Sequence, residues 1–199
     1  MKNHSEFSRF PARVVLIWLL VAIALGATGM LRRFVLPPPA IALGLTTGLL
    51  LAYWFSRPFK QGVRTFSPRA LVLFHLTRLA AGIYFLVLFR RGILPGEFAL
   101  VAGWGDIVVG LGAIVTAWTC FPIRNKARRV GLLVWNAVGL ADILLVLSNA
   151  LRIFLPNPAV AEPFSVLPLA ILPMFVVPSV IFSHLVLFGS AGRQERPAS

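Results

Sequence analysis

Six apolar stretches run through this chain at residues 13–31, 40–56, 70–89, 97–119, 130–153 and 165–188. Each is close to the roughly 20 residues that an α-helix needs to cross a bilayer. Helix breakers stand between them: Pro37-Pro38-Pro39, Pro58, Pro68, Gly92 with Pro95-Gly96, Pro122, and Pro156 with Pro158 and Pro163. In lipid, backbone N–H and C=O groups must be satisfied within the spanning element, so runs of this length dictate helices. No connection is long enough for a separate folded domain. The fold class expected is therefore all-α: a polytopic membrane protein, with residues 1–199 forming a single six-span transmembrane domain and one helical bundle. Composition agrees, because 58% of the 199 residues are apolar and only 13% are charged, against about 25% charged in soluble domains. A mean hydropathy of +0.87 excludes a water-soluble globule or a disordered tail. The single Cys120 can form no internal disulfide and reads as a small apolar filler at a helix end.

The charges give the chain a direction. There are 19 Lys and Arg against 6 acids, a formal charge of +13. The basic residues lie between the apolar runs, where they orient helices in the bilayer rather than contact nucleic acid. Lys2, Arg9, Arg13, Arg57, Lys60, Arg64, Arg69, Arg124, Lys126, Arg128, Arg129, Arg193 and Arg196 fall on one side. Arg32, Arg33, Arg90, Arg91 and Arg152 fall on the other. The positive-inside rule places the first group in the cytoplasm, so both termini are expected inside, in an inner or plasma membrane. Trp18, Trp54 and Trp118 fall near the same ends, as an interfacial aromatic belt does. The lipid bilayer is the expected partner, and no nucleic acid is expected. Gly44 and Gly48 form a GxxxG pair that reads either as a homo-oligomer face or as internal packing. The apolar run after Arg13 resembles a signal peptide, but it continues to Arg32-Arg33 and reads as a retained first helix, with cleavage near Ala22–Ala27 the alternative.

Polar residues inside the spans are ordered. At 100° per residue, His75, Arg78 and Gly82 share one face of the third span. The fourth carries Ala99, Gly103, Asp106, Gly110, Ala113 and Ala117 on one stripe, so Asp106 is expected where another helix approaches closely. The fifth carries Trp135, Gly139, Asp142 and Asn149 on one face, with Asn136 a further polar residue. His184 lies about one turn from the end of the sixth. At 1.5 Å per residue, the histidines come out roughly 6–9 Å from the cytoplasmic ends and the aspartates roughly 18–20 Å from them. The expectation is a ladder: a His pair, Arg78, then an Asp pair about 10 Å further in. Asn149, Arg152 and Glu97 follow toward the outside.

Charges at a helix centre cost about 2.5–3.5 kcal/mol each on the insertion scale, so three cost on the order of 8–10 kcal/mol. One guanidinium is expected to pair with one aspartate, leaving the other to be neutralised by a proton or a cation. Three readings follow. The cluster of His75, Arg78, Asp106, Asp142 and His184 binds or conducts a proton, cation or small solute. Alternatively, His75 and His184 ligate a metal ion or the iron of a b-type haem, in a membrane-embedded enzyme or redox protein. As a third reading, the charges only hold a structural bundle in register. Pro168, Pro173 and Pro178 can kink or break the sixth span.

Gly103-Trp104-Gly105-Asp106 resembles the GxGD motif of intramembrane aspartyl proteases. The resemblance covers four residues and implies Asp106 and Asp142 as paired catalytic carboxylates. In that family the other aspartate precedes GxGD, whereas Asp142 follows it, and Leu167-Pro168-Leu169-Ala170 stands where a Pro-Ala-Leu motif is expected. No phosphate loop, HExxH, nucleophile elbow or CxxC is present, and no lysine lies within a span.

Overall fold

Proline and glycine set the ends of the helices. The computed structural model describes residues 4–33 and 36–193; Lys2 and Arg196, counted above among the basic residues, lie outside them. Helix α1 is His4–Ala27, and it stops where Gly29 adopts a φ of +63°, a left-handed conformation open to glycine at little cost. A 3-10 turn, Met30–Arg33, follows, so the first apolar run leaves the α-helix before residue 31. Helix α2, Pro38–Phe55, opens on prolines, whose missing N–H groups would have had no partner in a first turn. Ser56 ends α2, donating its N–H to the Ala52 carbonyl, and caps α3 (Arg57–Val63) by accepting from the Phe59 N–H at 3.3 Å. Then come α4 (Pro68–Phe74), α5 (Leu76–Arg90), α6 (Gly96–Thr119) and α7 (Lys126–Phe154). A 3-10 segment, Pro158–Ser165, and a π turn, Leu172–Val176, lead into α8, Val177–Arg193.

The described residues are 84% helical, with no strand among them. Also among the described residues, five helices are long and apolar enough to cross a membrane: Pro38–Phe55, Pro68–Arg90, Gly96–Thr119, Lys126–Phe154 and Leu172–Ser190. The apolar part of α1, Arg13–Ala27, is shorter. The sixth expected run, 165–188, also differs, because its long helix begins only at Leu172. Pro168 and Pro173 each remove a backbone donor there, and the chain passes through turns and a π segment before α8.

Two compact units are present, Met1–Ser67 with Phe154–Ser179, and Pro68–Ile153 with Val180–Ser199. In the first, Trp18 meets Phe175 edge to face at 4.8 Å, and Arg32 pairs with Glu162 at 2.7 Å. Gly44 and Gly48 have open space where a Cβ would stand, so the GxxxG face carries no internal packing. Trp54 is 80% exposed, and Lys60 lies over the Tyr53 ring.

The second unit is built on α5 against α6. A Cβ on Gly82 would lie 2.5 Å from the Gly103 carbonyl oxygen, and one on Gly110 would lie 2.7 Å from the Leu79 nitrogen. The helices therefore touch backbone to backbone, as small residues in membrane helices allow. Ala99, Gly103, Asp106, Gly110, Ala113 and Ala117 are all buried along α6, which is the stripe read from the sequence. Val72, Leu132 and Leu187 complete the core with Ala113, Ala117 and Cys120, and Cys120 does fill apolar space there. Trp118, 70% exposed, carries the Arg69 guanidinium over its ring at 5.0 Å.

This packing predicts that Gly110→Ala overpacks α5 against α6 and lowers stability by about 1–3 kcal/mol. Gly44→Ala, facing open space, is expected to cause no loss. Thermal unfolding of the two variants in mild detergent checks the contrast.

Candidate buried charge cluster

The α4–α5 helix tightens at His75. The His75 N–H donates to the Val72 carbonyl at 3.1 Å, and the Arg78 N–H donates to the His75 carbonyl at 3.0 Å. Both bonds span three residues, the geometry of a 3-10 turn inserted in a longer helix, a frequent mark of functional positions. One turn on, Arg78 is 2% exposed, and its guanidinium donates to three acceptors on two helices. Its Nε donates to Asp106 Oδ1 on α6 at 2.6 Å. Its Nη1 donates to the Gly139 carbonyl on α7 at 2.9 Å, and its Nη2 to Asp142 Oδ2 on the same helix.

The expectation that Arg78 pairs with one aspartate is thus corrected: it holds both. The reason is geometric. A guanidinium presents five N–H donors in a planar fork, enough to serve two carboxylates and a carbonyl together. With two carboxylates on one guanidinium, the ionised cluster carries one net negative charge.

The histidines meet next to it. His75 and His184 are both 0% exposed, and their ring centroids lie 4.2 Å apart. Trp135 stands edge-on to His75 at 5.0 Å and donates its Nε1–H to the Val109 carbonyl. His184 Nδ1 lies 2.8 Å from Asn136 Oδ1, and His75 Nε2 lies 3.0 Å from Ser183 Oγ. The remaining ring nitrogens, His75 Nδ1 and His184 Nε2, are buried without a protein partner. The depth gap of about 10 Å expected between the pairs is bridged by Gly139. Its carbonyl accepts from Arg78, and a Cβ on it would lie 2.6 Å from His184 Cε1. Without a side chain at 139, the imidazole layer and the carboxylate layer adjoin.

Asn149, Arg152 and Glu97 also come together, but as a separate group at the other end of the unit's helices. Asn149 Nδ2 donates to the Glu97 carbonyl at 2.7 Å, and Arg152 Nη2 lies 3.3 Å from Glu97 Oε2. Arg152 and Glu97 are mostly exposed. Asn136, read from sequence only as a further polar residue, is instead a direct partner of His184. Ser183 was not singled out at all, and a lone serine in an apolar run carries no signal that would find it.

The alternative chemistries can be weighed on this geometry. A haem iron between two imidazoles, at a metal–nitrogen distance of about 2.0 Å, places the ring centroids roughly 6 Å apart. At 4.2 Å no porphyrin fits between His75 and His184. No group of three or more His, Cys, Asp or Glu is placed to hold a metal ion among the described residues. The carboxylates that could have completed such a set are turned onto Arg78. The GxGD-like segment has a packing role: Gly103 admits α5, and a Cβ on Gly105 would collide with the Asp142 carboxylate. The two aspartates flank a guanidinium and do not form a carboxyl pair sharing one proton.

Removing Arg78 leaves the buried Asp106 and the part-buried Asp142 without their donor. Arg78→Leu is expected to destabilise by about 3–5 kcal/mol, with recovery in the triple variant Arg78→Leu/Asp106→Leu/Asp142→Leu. Yield of monodisperse protein and unfolding temperature in detergent measure both.

Residues 36–190 match the model of a protein family described as a domain of unknown function, DUF8737, and the chain belongs to that family. No curated protein and no solved structure matches it.

Proposed function

Starting from a family described without an activity, we propose that this chain is a multi-pass protein of the inner or plasma membrane whose buried His/Arg/Asp cluster binds and passes a proton. The observation that carries this is the charge count: buried Asp106 and Arg78 and part-buried Asp142 sit together, one positive charge short of neutral when ionised. Two buried imidazole nitrogens with no protein partner lie in the adjoining layer. An uncompensated charge in low dielectric is costly, so the cluster draws in a cation. A proton suits the site best, because imidazole nitrogens and carboxylate oxygens both take it and, among the described residues, no group of three metal-ligating side chains is placed to hold an ion.

The topology that goes with this reading has six spans and both termini in the cytoplasm. The short apolar part of α1 is counted as the first span. It rests on the excess of Lys and Arg in the connections on one side. The bilayer is the protein's immediate partner, and the open GxxxG face of α2 offers a surface for a second copy of the chain.

Two experiments test these readings. In a Cys120→Ser background, an impermeant maleimide on intact cells is expected to label Asn157→Cys, and Gln61→Cys only after permeabilisation. The reverse pattern overturns the orientation. In liposomes holding a pH-sensitive dye, the reconstituted protein under an imposed membrane potential is expected to move protons faster than empty vesicles. Asp142→Asn should cut that flux at least tenfold. A wild-type flux equal to that of empty vesicles overturns the proton pathway.

A further inference from the structure

The hydrogen bonds around the two histidines assign their protons. A carbonyl oxygen can only accept, so the group that reaches the His184 carbonyl at 3.0 Å must be the Asn136 amide nitrogen. That orientation leaves Asn136 Oδ1 toward the ring, and Oδ1 accepts only from a proton on His184 Nδ1. On the other ring, the Ser183 hydroxyl has one hydrogen, which it donates to the Val180 carbonyl at 2.8 Å. Toward His75 it can only accept, so His75 carries its proton on Nε2. The two imidazoles therefore hold opposite tautomers. Each keeps one lone pair, on His75 Nδ1 and on His184 Nε2, and these are the two buried ring nitrogens with no protein partner.

We propose that Asn136 and Ser183 are positioning residues that lock His75 and His184 in these opposite tautomers, leaving His75 Nδ1 and His184 Nε2 as the two lone pairs open to the single proton that the cluster lacks. The proposal rests on the reading of the cluster as a proton site and names where in it the proton resides. Binding adds one proton to one of the two lone pairs and leaves the other bare. No bond to carbon changes and no electron is transferred. The charged side chain that bears on both rings is Arg78 from α5, which itself pairs with Asp106 from α6 and Asp142 from α7. With one proton on the histidine pair, the net charge of the whole group goes from −1 to zero. A second proton would bring it to +1 beside a guanidinium, so the pair is built for one.

The chain has only three histidines, which makes the test direct. The protein is labelled with 15N-histidine, with His4→Gln removing the third ring, and the imidazole nitrogens are followed by NMR from neutral to acidic pH. The expected result is an Nδ1–H signal for His184, an Nε2–H signal for His75, and uptake of one proton by the pair, at His75 Nδ1 or His184 Nε2. Ser183→Ala, a small change, should turn His75 into a mixture of tautomers while His184 keeps its own, and Asn136→Leu should do the converse. Reversed tautomers, two independent protonations, or an Asn136→Leu or Ser183→Ala spectrum unchanged from wild type overturns the proposal, as does stoichiometric metal lost on His75→Ala/His184→Ala. The flux assay separates the two levels. Flux without the two locked tautomers sinks this proposal alone, and locked tautomers taking up one proton without flux leave the histidine seat standing while removing the pathway.

Discussion

Everything in the second unit answers to one buried guanidinium. Arg78 is long enough to lie across the unit, and its planar fork lets it serve Asp106 and Asp142 while also satisfying the Gly139 carbonyl. Each of the three charges would be expensive alone at the centre of a span. Together they form a hydrogen-bonded set whose members depend on each other, so no single one can be removed without stranding the rest. Such sets specify which helices meet and in what register, and here they also leave a net charge that only another positive group can neutralise.

The glycines make that set geometrically attainable. Arg78 reaches Asp106 because α5 and α6 approach at Gly82, Gly103 and Gly110. Asp142 reaches Arg78 because Gly105 leaves its carboxylate room. His184 lies against Gly139, where any side chain would push it away. Small residues in membrane helices are usually explained by packing alone. Here the same residues place ionisable side chains from four helices around one point.

Much of this was legible in the sequence, and the exceptions have physical causes. The long apolar runs and their breakers announced the helices, since hydropathy over about 20 residues has few other meanings. The 3.6-residue period placed His75 with Arg78 and put Asp106 on the small-residue stripe. The first run was read to residue 31, but Gly29 stops the helix by a backbone conformation that hydropathy does not register. The start of the last helix was misplaced because three prolines can each kink or end a helix, and only tertiary context decides which. Arg78 was given one carboxylate because a count of charges does not reveal how many acceptors a guanidinium can face. Asn136 lies about 120° around α7 from Asp142, so a single-face analysis separated it from the cluster. It belongs there because α8 brings His184 to that second face.

The same contacts bear on what kind of movement the cluster can support. Along α5 and α6 the backbones touch at three glycines, and sliding one helix past the other would drive carbonyls and side chains into each other. The joints around that pair are hydrogen bonds: Arg78 to Gly139 and Trp135 to Val109 reach α7, His75 to Ser183 reaches α8, and Asn136 to His184 ties α7 to α8. Admitting a solute to the aspartates would require several of these to break while the charges they satisfy stay buried. The proposed proton asks less of this packing, because His75 Nδ1 and His184 Nε2 take part in none of these bonds and protonating either one leaves them all in place.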